Sequence, residues 1–153
     1  MAVKPIPEGY HSVTPYLVVQ GAAQLIDFLK QAFDAKETER MAQPDGTIAH
    51  AEVRIGDSVV MMADPPGADA SAQGFGPMPA MIHLYVNDAD AAYKRALTAG
   101  ADSLEEPADQ FYGDRRAGVR DRFGNLWYIA THKEDVTPEE MRRRSEASMS
   151  QQT

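Results

Sequence analysis

One pattern runs twice through these 153 residues, about 67 residues apart, and it limits the possible folds more than any single motif does. The first copy is Tyr16-Leu17-Val18-Val19 followed by a helix-like Gly21 to Phe33; the second is His83-Leu84-Tyr85-Val86 followed by a helix-like Asp88 to Ala99. The copies stay in step. Ala51-Glu52-Val53-Arg54 precedes Gly56 and the apolar Val59-Val60-Met61-Met62, and Ala117-Gly118-Val119-Arg120 precedes Gly124 and the apolar Leu126-Trp127-Tyr128-Ile129. A period this long describes whole modules of several strands and a helix rather than the stacked units of a solenoid. Modules of some 60 residues are marginal alone and must pack on each other or on a second chain, so a site is expected between them.

Within each copy the punctuation predicts a β-α-β-β-β order and an α+β fold. His11 to Val19 reads as a strand rich in β-branched and aromatic residues. Leu25, Ile26, Leu29 and Phe33 fall at helical spacing, with Gln24, Asp27, Lys30 and Gln31 on the wet side. Pro44-Asp45-Gly46 separates Glu37 to Met41 from Thr47 to Ile55 as a hairpin turn, and Gly56-Asp57 turns the chain into Ser58 to Ala63. The second copy gives a strand Met81 to Val86, a helix Asp88 to Ala99, a strand around Ser103-Leu104, then Gly118 to Asp121 and Leu126 to Thr131. Thr137-Pro138-Glu139-Glu140 has the pattern of a capping box and predicts a C-terminal helix, ahead of a disordered Ser/Gln end. The boundaries expected are a first module over 10–64, a Pro- and Gly-bearing linker over 65–79, a second module over 80–132 and a tail over 133–153.

Composition removes several functions. A net charge of -8 repels phosphate backbones and anionic lipid, which argues against nucleic acid and membrane surfaces as partners. Arg142-Arg143-Arg144 is balanced by Glu139, Glu140 and Glu146 and reads as a solvated helix face. With no cysteine, the chain has no disulfide, thiolate nucleophile or cysteine-ligated metal. No apolar h-region follows Met1 and no run approaches the 18 or so residues of a membrane span, so a cytoplasmic location is expected.

Two such modules, the second closing on Asp121-Arg122-Phe123-Gly124-Asn125-Leu126-Trp127, resemble the vicinal oxygen chelate superfamily of glyoxalases, bleomycin-resistance proteins and extradiol dioxygenases. Thr14-Pro15-Tyr16-Leu17-Val18-Val19, His50-Ala51-Glu52, Ile55-Gly56-Asp57, Tyr112-Gly113-Asp114-Arg115 and Trp127-Tyr128-Ile129-Ala130-Thr131-His132 look like its PhnB-like branch. The resemblance implies curved sheets around a cavity with helices outside. In the superfamily's enzymes it also implies a divalent metal held by the first and last strands of each module. Carried over by the helix and glycine landmarks, those places hold Thr14, Val60, Met81 and Tyr128, which are not ligands for Zn, Ni, Fe or Mn. No cofactor is therefore expected. The one alternative ion site is a scattered set of His50, Glu52 and His83, against a reading in which these residues hydrogen-bond in a polar cavity or face solvent.

Strand alternation assigns faces. Val13, Leu17, Val19, Ile82, Leu84 and Val86 should back onto the helices, as should Val53 and Ile55. Thr14, Tyr16, Val18, Met81, His83 and Tyr85 should look into the cavity, with His50, Glu52 and Arg54 on the corresponding face of the hairpin strand. Tyr16, Tyr85, Tyr128 and Met62 would supply an aromatic lining, and Arg54 or Arg120 could anchor an acidic group. Tyr112 belongs to a loop that is either a plain turn or a lid. Phe28, Tyr93 and Trp127 fall in phase with the buried stripes. Two functions are open: a binder of a small aromatic or acidic molecule that needs no metal, acting as a homodimer with its modules either swapped or paired within the chain, and a lyase, isomerase or transferase using His83, Glu52 and Tyr128 for proton transfer.

Overall fold

A computed structural model of the chain describes residues 3–66 and 76–150. The first module runs β1 (Tyr16–Val18), α1 (Ala22–Phe33), β2 (Lys36–Ala42), β3 (Ile48–Ile55) and β4 (Ser58–Ala63). The second runs β5 (Met81–Tyr85), α2 (Ala89–Thr98), β6 (Asp102–Asp109), β7 (Asp114–Arg120) and β8 (Leu126–His132), followed by α3 (Pro138–Ser150). The two four-stranded sheets have matching orders, β1-β4-β3-β2 and β5-β8-β7-β6. In each, the first strand lies parallel to the last and the other pairs are antiparallel. This is the α+β architecture of paired β-α-β-β-β units.

The helices start where the strands supply acceptors. Asp64, just past β4, accepts from the backbone N–H groups of Gly21 and Ala22 at the start of α1 (2.7 and 3.2 Å) and from that of Ile48 (2.7 Å). Thr131, its repeat counterpart in β8, accepts from the N–H of Ala89 at the start of α2 (2.8 Å), whose N-cap Asp88 accepts from Ala91 (3.0 Å). These bonds satisfy donors that a helix leaves unpaired. At α3, Thr137 Oγ1 accepts from the N–H of Glu140 at 3.2 Å, as the capping pattern predicts.

One buried cluster spans both modules, drawing on α1, α2 and the helix-facing sides of both sheets. Trp127 is its largest fully buried side chain and its ring lies 5.1 Å from that of Phe33 at the end of α1. Phe28 and Tyr93 are buried in it as their phase requires. Arg95 of α2 grips Asp34, the residue after α1, through two bonds of 2.8 and 2.7 Å. The modules of one chain are thus joined through their helical sides, and the opposite face of each sheet stays open.

Several boundaries differ from the sequence expectation. β1 is only three residues long, because the chain from His11 to Pro15 approaches as an irregular lead-in; Val13 is accordingly 85% exposed rather than in the core. β6 and β7 are longer than expected, so Tyr112 and Gly113 form the turn between them. Met62 is fully buried, and the residue that shares the open face with Tyr16 is Met61. Most of the expected linker, 67–75, lies outside the described residues, as does the end of the tail, 151–153. Met78 returns to β1, its N–H donating to the carbonyl of Val18 at 2.9 Å.

Candidate functional site

On the open face of the first sheet, strand register gathers three of the expected residues, Tyr16, His50 and Glu52. Tyr16 lies opposite Met61, and Met61 opposite Glu52, while His50 sits two residues before Glu52 on the same side of β3. Tyr16 Oη is 3.0 Å from His50 Nδ1, and His50 Nε2 is 2.8 Å from Glu52 Oε2. Tyr10, from the lead-in, donates to the other carboxylate oxygen of Glu52. Glu52 is only 5% exposed. Burial opposes its charge, but the hydrogen bonds from Tyr10 and His50 outweigh it and hold the carboxyl below its usual pKa. The same carboxylate and partial burial raise the pKa of Tyr16, burial being the larger cause. Arg54 is turned elsewhere, with both terminal nitrogens 3.3 Å from the carbonyl of Gly9.

Beside this network lies a cleft of about 570 Å³. Tyr16, Val18, Ile48, Ala63, Pro65 and Met78 give it apolar walls, and Gln43, Thr47 and Asp64 add polar points at the rim. The expectation that Met62 lines such a pocket is corrected. A strand residue one position over points to the opposite side, so Met62 faces the core and not the cleft.

The second sheet holds the remaining candidates. His83 is the strand partner of Tyr128 and its ring packs edge-on to Tyr85 at 4.9 Å. Arg116 lies over the Tyr128 ring at 5.2 Å, a cation–π contact, and pairs with Glu105 at 3.0 Å. Arg120 is exposed at the end of β7, opposite Leu126. Tyr112 packs edge-to-face on Phe111 in the β6–β7 turn, at 5.3 Å; it lies outside the cleft lining and near Tyr85, whose pKa it helps to raise. Tyr85 donates to Asp114 at 3.0 Å; Asp114 also meets His132 Nδ1 at 2.8 Å, and His132 Nε2 meets Asp135 at 2.7 Å. Within one chain, then, Glu52 lies on one sheet and His83 and Tyr128 on the other.

Sequence reasoning passed over Tyr10 and Glu39. Tyr10 reaches Glu52 from an irregular segment that no periodicity describes. Glu39 reaches it because β2 carries a bulge between Glu37 and Glu39, which puts Glu39, instead of Thr38, opposite Glu52.

A sequence profile of the Glyoxalase/Bleomycin resistance protein/Dioxygenase superfamily matches residues 9–129. The chain belongs to that superfamily. An uncharacterized protein of Mycobacterium bovis is 39% identical over 146 residues, spanning 92% of this chain and 93% of the relative, and one of Mycobacterium tuberculosis is 39% identical over 146 residues, spanning 92% and 84%. Among solved structures, TioX from Micromonospora sp. ML1 is 26% identical with a TM-score of 0.67, covering 80% of this chain and 98% of TioX. A glyoxalase/bleomycin resistance protein/dioxygenase family enzyme from Burkholderia phytofirmans is 17% identical with a TM-score of 0.64, covering 78% and 96%, a likeness of fold.

The metal of the superfamily's enzymes does not fit the residues present at its usual places. Val60 is buried in the core, so the open-face residues of β4 are Val59, Met61 and Ala63. Together with Thr14, Met81 and Tyr128 they offer no imidazole and no carboxylate.

Proposed function

We propose that this superfamily member binds a small, largely apolar organic molecule, aromatic or acidic, on the open face of its sheets, without a metal at the superfamily's usual places. The cleft beside Tyr16 carries the proposal. Its volume suits a small-molecule ligand, and its walls are apolar with a few polar groups at the rim, the usual composition of such sites.

The working unit is a homodimer. Tyr16, Met81 and Tyr85 are 47%, 65% and 61% exposed in a single chain, on faces that the helices do not cover. Exposed apolar groups on uncovered sheet faces favour burial against another surface. A second copy, laying its second sheet opposite the first sheet of this chain, would close the cleft and bring His83 and Tyr128 toward Tyr16. Among the described residues no helix is long and apolar enough to cross a membrane, and a cysteine-free chain suits a reducing cytoplasm.

A thermal-shift screen in EDTA against bleomycin, aromatic carboxylates and phenolic metabolites tests the reading, because a ligand that binds the native state raises its melting temperature. At least one aromatic compound should raise it in a dose-dependent way, and Tyr16→Ala should remove the shift. Shifts that appear only after a divalent metal is restored, or that survive Tyr16→Ala unchanged, would contradict it.

A further inference from the structure

The geometry points to a binding site for a divalent first-row transition metal at Glu39, His50 and Glu52, on β2 and β3, away from the strands that hold the superfamily's metal. This inference stands apart from the ligand reading. A ring nitrogen of His50 and a carboxylate oxygen from each glutamate all lie within 4.8 Å of one another. One imidazole with two carboxylates is a donor set for Zn, Mn, Fe, Co or Ni. His50 Nε2 and Glu52 Oε2 are 2.8 Å apart. Neighbouring ligands on an ion with bonds of about 2.1 Å are separated by roughly 3 Å or slightly more, so these two need open only a little. Glu39 is exposed, and its carboxyl already meets that of Glu52.

The internal repeat provides the comparison that singles this place out. The bulge that sets Glu39 opposite Glu52 recurs in β6, between Ser103 and Glu105, and sets Glu105 opposite Gly118. Arg116 stands two residues before Gly118, as His50 stands two before Glu52. In the second module the three positions therefore hold Glu105, Arg116 and Gly118, and they close on themselves as an ion pair of 3.0 Å with no charge left over. In the first module the same scaffold holds two carboxyls on directly opposed residues, an arrangement that is repulsive unless a cation or a proton lies between them.

No lysine or arginine fills that role, and the one basic group that meets Glu52 is the imidazole of His50 itself. Arg40 is taken by Glu37 (2.8 and 3.1 Å) and Arg54 by the Gly9 carbonyl. Among the described residues neither Glu39 nor Glu52 has a Lys or Arg ion pair. The outer atoms are already held from behind. Tyr16 engages Nδ1 of His50 and Tyr10 engages Oε1 of Glu52, leaving Nε2 and Oε2 to face each other. Hydrogen bonds of this kind orient the ligands of metal sites.

Isothermal titration of the whole protein, stripped with EDTA and exchanged into chelator-free buffer, with ZnCl2, MnCl2 and CoCl2 in turn tests the site. One ion per chain should bind with micromolar or tighter affinity. Glu39→Gln, at an exposed position, and His50→Ala should each weaken binding at least tenfold, while His132→Ala, on the other sheet, should leave it unchanged. With cobalt, visible d–d absorption should appear in the parent protein and be lost in His50→Ala. The inference is overturned if none of the three ions binds, or if binding persists undiminished in both Glu39→Gln and His50→Ala.

Discussion

Asp121 shows how much one side chain organises. It is buried in the turn between β7 and β8, where its carboxylate accepts from the N–H groups of Phe123 (2.8 Å) and Asn125 (2.9 Å), from Asn125 Nδ2 (3.0 Å) and from Trp127 Nε1 (2.9 Å). Asn125 in turn accepts from the N–H of Ala80 at 3.0 Å, so the turn also fixes where β5 begins. Removing the carboxylate strands several buried donors at once, each costing about 1–3 kcal/mol. Asp121→Ala should therefore lose about 3 kcal/mol or more of unfolding free energy, read from the urea midpoint, and Asp121→Asn, which retains one acceptor oxygen, should lose less. The sequence marked this stretch through its resemblance to the superfamily, but not through the bonds that explain it. The same scale accounts for the misplaced methionine. Met61 and Met62 are chemically alike, and only the pairing of Tyr16 with Met61 shows which of them lies on the open face of the sheet.

At the scale of elements, the hairpin between β6 and β7 rests on Gly113. Its φ is +102°, and a Cβ there would meet the Glu134 carbonyl oxygen at 2.4 Å. That carbonyl belongs to the segment leading to α3, whose Lys133 and Glu134 N–H groups both donate to the Gly113 carbonyl, at 2.8 and 3.1 Å. Gly113→Ala should cost about 2 kcal/mol or more, from backbone strain and from displacement of this segment, and should be visible as earlier proteolysis after residue 132. His132 secures the same segment. Its hydrogen bonds to Asp135 and then Asp114 hold the imidazolium and raise its pKa above the ordinary value of about 6.5. A group whose pKa rises on folding stabilises the fold fully below its unfolded pKa and loses that contribution as pH rises through the folded value. The stability difference between parent and His132→Gln should be greatest on the acidic side of about pH 6.5 and shrink above it, as followed by thermal melts across pH. Helices and the inner strands were legible here because burial imposes a period on them. The bounds of β1 and β6 were not, since β1 is held by register with β4 over three residues and β6 is an outer strand with a mostly exposed sequence.

For the whole molecule, the duplicated pattern carried the architecture. Tyr16 and His83, at matching places in the two copies, are opposite Met61 and Tyr128 in sheets of the same strand order. What the pattern left open was how the halves face each other, because helix and sheet both present apolar sides and periodicity does not say which sides of two modules meet. In the structure the helical sides meet, through Phe33 and Trp127 and through Arg95 and Asp34, and the tyrosine-bearing faces point away. On the proposed homodimer reading a second chain covers the cleft beside Tyr16, and light scattering should then give twice the chain mass at micromolar concentration. Tyr85→Asp, which places a charge on the exposed face, should shift the protein toward monomer. The most direct measurement of the central claim is an equilibrium titration, in EDTA, of the compound that gives the largest thermal shift, with the parent protein and Tyr16→Ala side by side. The account predicts one site per chain in the parent and at least a tenfold loss of affinity in the variant; equal affinity in the two proteins, or no binding until a metal is supplied, would contradict it.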